Sequence, residues 1–322
     1  MYLVASYFNR VKHSMVTAIA DTTDRPALGI ALMLTGIAGF AVMDALIKWL
    51  TADYSIVQVA ALRSWFGLPL LCLVALRGGG VALLQTQRPL VHGGRFLLVL
   101  GLSLSFFWAL SQLKLADAIA ITFAAPIFIT ALSVPLLRET VGPHRWVAVG
   151  VGFVGVLVML RPGLGVFQWA ALSALTSVVF YALLMITTRA FKRSESIAAL
   201  MLYPQLGMSF IGILAVPFVW VTPSLADLGL FAVAGMFGSV GVMCITQAFR
   251  LAPAAVVTPF EYSALLWATL LGFLLWGDLP DPVTLAGAAI VVACGLYIIY
   301  RETATTGRAP EQVTSMGPDD TV

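Results

Sequence analysis

Apolar residues fill ten stretches of about membrane-spanning length, separated by short polar breaks. The stretches cover residues 27–51, 56–76, 94–113, 117–137, 144–160, 166–190, 197–221, 227–249, 252–276 and 282–300. A helix needs about 20 apolar residues to cross the hydrocarbon core. The pattern therefore predicts an all-α integral membrane protein with ten transmembrane helices. Several breaks carry Pro or Gly, as in Arg161-Pro162-Gly163, Thr222-Pro223 and Leu279-Pro280. Before the first stretch, Met1–Phe8 is too short to span, and Arg10, Lys12, Asp21, Asp24 and Arg25 interrupt any longer run. Residues 1–26 are expected to form a cytoplasmic tail without the apolar core of a signal peptide. After the last stretch, residues 301–322 are polar without apolar periodicity, which predicts a disordered cytoplasmic tail.

The ten stretches are two sets of five. Leu115, Ala116, Ala118 and Thr122 recur as Leu251, Ala252, Ala254 and Thr258 at a spacing of 136 residues. Gly155 and Arg161 recur as Gly295 and Arg301 at 140, and Phe40 and Gly67 recur as Phe180 and Gly207 at 140. Residues 27–160 are thus expected to form one five-helix repeat and residues 166–300 a second. Five is odd, so the second copy enters the membrane from the side opposite to the first. This is an inverted-topology repeat, an arrangement in which solute sites lie near the midplane between the copies.

Composition agrees with the pattern. The chain of 322 residues is 60 % hydrophobic and 10 % charged, with mean hydropathy +0.98. A soluble domain is about 25 % charged. The net charge of +3 is too small to favour a nucleic-acid partner. The position of the charges is informative: with the N-terminus inside, fourteen Lys/Arg side chains, Arg88, Arg95, Arg138 and Arg145 among them, fall on cytoplasmic segments, while Lys114 and Arg161 fall outside. The positive-inside bias predicts both termini in the cytoplasm and a cell inner-membrane location. Cys72, Cys244 and Cys294 lie in apolar runs without metal-ligand spacing, and His13, His92 and His144 sit near ends or loops. No metal or cofactor site is expected, and no paired-His or Asp-rich motif points to a membrane enzyme. Arg77-Gly78-Gly79-Gly80 lacks the Lys-Ser/Thr of a phosphate loop. If such a protein moves a solute, the movement would therefore run down a gradient or be coupled to one.

Ionisable side chains inside a span cost about 2.5–3.5 kcal/mol at a helix centre, so each needs a reason. Asp44 and Lys48 lie four apart on one face of the first helix. Arg63 on the second helix lies at a similar depth, so Asp44 is positioned to pair with it. The arrangement is either a helix–helix clamp with a snorkelling Lys48 or the charged lining of a pathway. Glu261 falls about 15 Å from the inner end of the ninth helix, near the midplane. It follows Pro259 and Phe260, precedes Tyr262, and has no obvious basic partner unless it is Arg63. It is the candidate for solute or proton binding, the alternative being a neutral carboxyl bonded to a neighbouring helix. Trp108, Tyr181, Tyr203 and Gln205 are further candidates for a central cavity. Tyr203 occupies the repeat slot of Arg63, and Gln205 that of Trp65. Gly150, Gly152 and Gly155 on the fifth helix, with Gly287 and Gly295 on the tenth, predict close packing between the halves; a homodimer contact is the other use of such faces.

The sequence resembles the EamA-type branch of the drug/metabolite transporter superfamily. The first half carries this in Leu115-Ala116-Asp117-Ala118-Ile119-Ala120 through Ala125-Pro126-Ile127-Phe128, in Leu136-Leu137-Arg138-Glu139, and from Gly150 to Gly163. In the second half it is carried by Pro259-Phe260-Glu261-Tyr262 through Gly272 and by Leu285–Tyr300. One departure is that Trp276-Gly277-Asp278 stands where the first half has Leu137-Arg138-Glu139. The resemblance implies a secondary carrier that moves a small organic solute across the lipid bilayer by alternating access, with proton or ion coupling open. Amino acids and related metabolites are the leading class. S-adenosylmethionine and riboflavin carriers are the alternative, and a non-transporting scaffold is the rival from another class.

Overall fold

The computed structural model describes residues 25–79, 86, 88–138, 142–160, 169–191 and 197–306. The first half contains α1 (Pro26–Leu50), α2 (Ile56–Gly79), α3 (Pro89–Gln112), α4 (Leu115–Thr122), α5 (Ala125–Leu137) and α6 (Pro143–Leu160). The second contains α7 (Trp169–Phe191), α8 (Ile197–Ala215), α9 (Leu225–Leu251), α10 (Ala254–Val257), α11 (Ala264–Trp276) and α12 (Pro282–Thr306). Among the described residues there is no strand. α4 and α5 form one span interrupted at Phe123-Ala124. α10 and α11 form another, joined by a 3₁₀ segment at Thr258–Ser263. Counted this way, the described residues hold seven helical stretches long and apolar enough to cross a membrane and three shorter apolar ones, Trp146–Leu160, Leu202–Phe218 and Pro282–Ile298, which together place five in each half.

Proline opens α1, α3, α6 and α12, where a missing N–H breaks no helical bond. α3 begins at Pro89, five residues before the apolar stretch expected from sequence, so His92 lies inside it and not near a loop, and Arg95 lies nearly two turns from its start. α8 ends at Ala215, short of the expected 221, and a 3₁₀ turn follows at Val216–Phe218. α12 continues to Thr306, so the first residues of the expected disordered tail are helical. The rest of that tail, residues 1–24, His13 and Glu139 lie outside the described residues. The matched turns after α5 and α11 share one backbone solution: Arg138 at φ 56° and Gly277 at φ 69° both take the left-handed C-cap. Glycine adopts that conformation without Cβ strain and arginine does not.

The third helix of each half packs on the first two helices of the other. α9 lies along α1 and α2, and α3 lies along α7 and α8. Without water to drive association, these contacts rest on close backbone approach. A Cβ on Gly67 would sit 3.0 Å from the Gly235 carbonyl oxygen, and one on Gly36 would sit 3.0 Å from that of Gly241. α6 pairs with α12. A Cβ on Gly155 would lie 2.9 Å from the Gly287 oxygen, and one on Gly287 would lie 2.7 Å from the Gly155 oxygen. Gly155 and Gly287 therefore join the two halves, whereas Gly152 packs first on Ile127 and Gly295 on Tyr262, each within its own half, and Gly150 faces open space.

Arg95 ties three helices together. It is 4 % exposed. Its Nη1 donates to the Leu184 carbonyl at 3.1 Å and to the Thr187 and Thr188 hydroxyls at 2.8 and 2.9 Å, and its Nη2 donates to the Leu200 carbonyl at 3.0 Å. Counted from sequence as a cytoplasmic charge, it is a buried clamp of α3 on α7 and α8. Replacing it with Met keeps the stem and removes every donor. The expected result is a loss of about 2–3 kcal/mol, the scale of a hydrogen bond to a charged group. A lowered thermal midpoint of the purified protein would report it, with partial recovery in Arg95→Lys.

Candidate functional site at the two helix breaks

The two interrupted spans meet at their interruptions. Phe123, at the α4–α5 break, stands edge-on to Tyr262 in the 3₁₀ segment, with ring centroids 5.1 Å apart and an interplanar angle of 88°. Pro126 is the second residue of α5, just after its break, and Pro259 is the second residue of the 3₁₀ segment itself, so each missing N–H falls where a new helical ladder begins. Interrupted backbone at membrane depth is tolerated where it is buried in protein or lines a cavity. Paired interruptions in matched spans of two repeats mark the site of solute binding in carriers of this build.

Glu261 lies in the 3₁₀ segment, half-buried, and forms no ion pair among the described residues. Its field reaches Tyr181 and Tyr262. Tyr181, in the middle of α7, is 39 % exposed. The hydroxyl of the adjacent Ser263 is buried without a protein hydrogen-bond partner. Glu261, Tyr181, Tyr262 and Phe123 thus form one polar–aromatic cluster around an unpaired carboxylate. Trp108 is exposed on α3 and shares no ring contact with this cluster.

The other sequence candidates fall elsewhere. Asp44 and Arg63 feel each other's charge but do not form the expected ion pair. Arg63 Nη1 instead contacts Met43 Sδ at 3.1 Å, and its guanidinium lies 5.4 Å from the Phe107 ring centroid. Asp44 is 6 % exposed, and its Oδ1 has no hydrogen-bond partner. Lys48 does not reach back to Asp44. Its Nζ donates to the Leu110 and Leu113 carbonyls at 3.0 and 2.6 Å and lies 5.4 Å from the Trp276 ring centroid. It caps the C-terminal end of α3, where unpaired carbonyls favour a cation. Tyr203 stacks on His92 at 4.5 Å. Gln205 donates to the Ser64 carbonyl at 3.4 Å, and Trp65 donates to the Ser209 carbonyl at 2.9 Å. The matched slots of Trp65 and Gln205 therefore join α2 to α8 and do not face Glu261.

The two ends of the bundle differ. At the end carrying Lys48, α4 packs on α11. There Trp49 and Trp276 are 6.0 Å apart, Lys114 Nζ donates to the Leu279 carbonyl at 2.9 Å, and the Asp281 amide donates to Asp117 Oδ1 at 3.1 Å. Tyr54 also donates to Asp227 Oδ2 at 2.8 Å. At the other end the interrupted spans part: α5 leans on α6 and α7, and α10 leans on α1. The contacts between α4 and α11 thus lie at the Lys48 end of the bundle. A separate groove of about 430 Å³ between α6 and α12 is lined mainly by apolar groups such as Val147, Val151, Ile290 and Tyr297, and brings no carboxylate.

The model of the EamA-like transporter family matches residues 27–161 and again residues 168–301. The chain is 30 % identical over 283 residues to the S-adenosylmethionine uptake transporter of Rickettsia bellii (strain RML369-C), covering 88 % of this chain and 97 % of the relative. It is also 30 % identical over 292 residues to the riboflavin transporter of Rhizobium johnstonii (strain DSM 114642 / LMG 32736 / 3841), covering 89 % and 95 %. A solved crystal structure of 22 % identity superposes with a TM-score of 0.56 over 87 % of this chain and 99 % of its own, which is a likeness of fold.

Proposed function

The chain belongs to the EamA-like transporter family, a multi-pass membrane carrier of a small metabolite, and on that premise we propose that its solute is a cationic, ring-bearing amino-acid derivative, S-adenosylmethionine foremost. The observation that carries this reading is the unpaired Glu261 among Phe123, Tyr181 and Tyr262. A carboxylate at midplane depth is costly unless something offsets it. A sulfonium supplies the opposite charge, and aromatic faces attract both cations and a planar base. Riboflavin offers a ring but no cation, which places it second. Among plain amino acids, those with an aromatic ring lack a fixed side-chain cation, and Lys and Arg lack a ring.

In this reading the carrier is a secondary transporter of the cell inner membrane with both termini in the cytoplasm, and the two five-helix units are its repeating parts. The Lys48 end then faces outward, and the parted ends of α5 and α10 face the cytoplasm. Rocking about the interrupted spans would expose Glu261 to each side in turn. A carboxylate that holds either a proton or a cationic solute makes the two compete, so proton exchange is the coupling this site favours.

Cells expressing the protein are expected to accumulate radiolabelled S-adenosylmethionine. Unlabelled S-adenosylhomocysteine, which lacks the sulfonium charge, should compete at least about tenfold more weakly than unlabelled S-adenosylmethionine, since a lost charge-assisted contact is worth about 1.5–3 kcal/mol. Uptake of riboflavin without uptake of S-adenosylmethionine would reverse the order of the two readings.

A further inference from the structure

Asp44 and Arg63 pose a problem that the Glu261 cluster does not solve. They face the same region from α1 and α2. Asp44 Oδ1 and Arg63 Nε are both buried and have no hydrogen-bond partner. The guanidinium is turned onto Met43 Sδ and the Phe107 ring. Gly238 on α9 makes room for the Met43 sulfur that the guanidinium contacts, since a Cβ there would stand 2.7 Å from Met43 Sδ and 3.4 Å from Arg63 Nη1. Lys48, the other charge on this face, is spent on the α3 carbonyls. Buried charges are kept when paired, and leaving both members of a pair unsatisfied costs more than removing them.

A carboxylate and a guanidinium that face one region without pairing are together neutral, so they do not suit a lone ion. They suit a group with the reverse arrangement: an ammonium for Asp44 and a carboxylate, which guanidinium binds with two parallel hydrogen bonds, for Arg63. That group is the α-ammonium and α-carboxylate head of an amino acid. We propose that Asp44 and Arg63 form a zwitterion station on the Lys48 side of the Glu261 cluster, where the head of an amino-acid-type solute binds. The inference rests on the carrier reading above and deepens it: Glu261 answers a charge on the side chain of the solute, and Asp44 with Arg63 answers its head. Arg63 is partly buried, and the Met43 side chain against its guanidinium is the element that moves when the head enters.

The test compares two labelled solutes that differ only in the head, S-adenosylmethionine and its decarboxylated form, in cells expressing the wild-type protein, Asp44→Asn, Arg63→Gln or Arg63→Lys. Membrane levels are matched by a fluorescent tag, and the size-exclusion profile reports folding. The wild-type protein is expected to take up the intact solute with a KM at least about tenfold below that of the decarboxylated one. Arg63→Gln should raise the first KM and leave the second unchanged, which erases the discrimination, and Arg63→Lys should restore part of it. If Arg63→Gln does not reach the membrane, the wild-type comparison and Arg63→Lys decide alone. Equal KM values for the two solutes in the wild-type protein would overturn the station and leave the carrier reading standing. Uptake of neither solute would overturn the substrate assignment, and the station with it.

Discussion

Glu261→Gln is expected to cut uptake of labelled S-adenosylmethionine by about 10- to 100-fold at matched membrane level. The substitution keeps size and hydrogen bonding and removes only the charge. A hydrogen bond to a charged group is worth about 1.5–3 kcal/mol, and each 1.4 kcal/mol is a factor of ten in affinity. Folding should survive, because Glu261 has no ionic partner among the described residues to strand. The loss should appear in KM and in binding measured by thermal shift, since a ligand bound to the folded state raises its stability by mass action. Competition by S-adenosylhomocysteine should weaken much less, so the ratio between the two compounds collapses. A variant with wild-type KM would remove Glu261 from the solute site.

The second large effect is expected on assembly. Gly235→Val should abolish the monodisperse folded protein. A Cβ at position 235 would lie 2.6 Å from the Arg63 carbonyl oxygen and 2.8 Å from the Gly67 amide nitrogen. Both are backbone atoms, so no rotamer relieves the overlap, and α2 must separate from α9. Overpacking of a tight contact costs about 1–3 kcal/mol, and occasionally more when backbone must move. Valine at Gly229, on the same helix with nothing within 4 Å of its Cβ position, is the control and should leave the profile unchanged. The measurement is fluorescence-detected size exclusion after mild heating. Survival of Gly235→Val would mean that α2 and α9 are held by their side chains and not by backbone contact.

Much of the architecture is legible along the chain because the bilayer filters for it. A span needs an apolar run of set length, and Lys/Arg asymmetry sets its direction. The two five-helix copies follow from spacing, and the contact of α6 with α12 follows from their small residues, although only Gly155 and Gly287 make it. The neighbourhood of the two charges is legible too: Asp44 and Arg63 do stand close enough to feel each other. Which way a side chain turns about its helix is not legible, and that is where the structure departs from expectation. Arg63 turns to Met43 and Phe107, Lys48 to the end of α3, and Tyr203 to His92. Arg95 was hidden for another reason. Polar residues at the start of α3 mask a helix that begins five residues before its apolar run, so a buried clamp reads as a charge at the cytoplasmic edge of its span. The helix breaks announce themselves only through Pro126 and Pro259, because each broken span is still one apolar stretch.

The exchange of third helices between the halves sets an order on synthesis. The ribosome delivers α3 to the membrane well before α7 and α8 exist. During that interval Arg95 has none of the carbonyls and hydroxyls that later hold it. An arginine inside a span costs roughly 2.5–3.5 kcal/mol on insertion scales. Lying near the end of α3, Arg95 can reach the headgroups and wait there. α9 meets no such delay, since α1 and α2 are already in place when it arrives. The first half is therefore an unfinished intermediate until α8 has been inserted. A chain truncated after α6 carries an unclaimed charge, which makes it a substrate for membrane quality control.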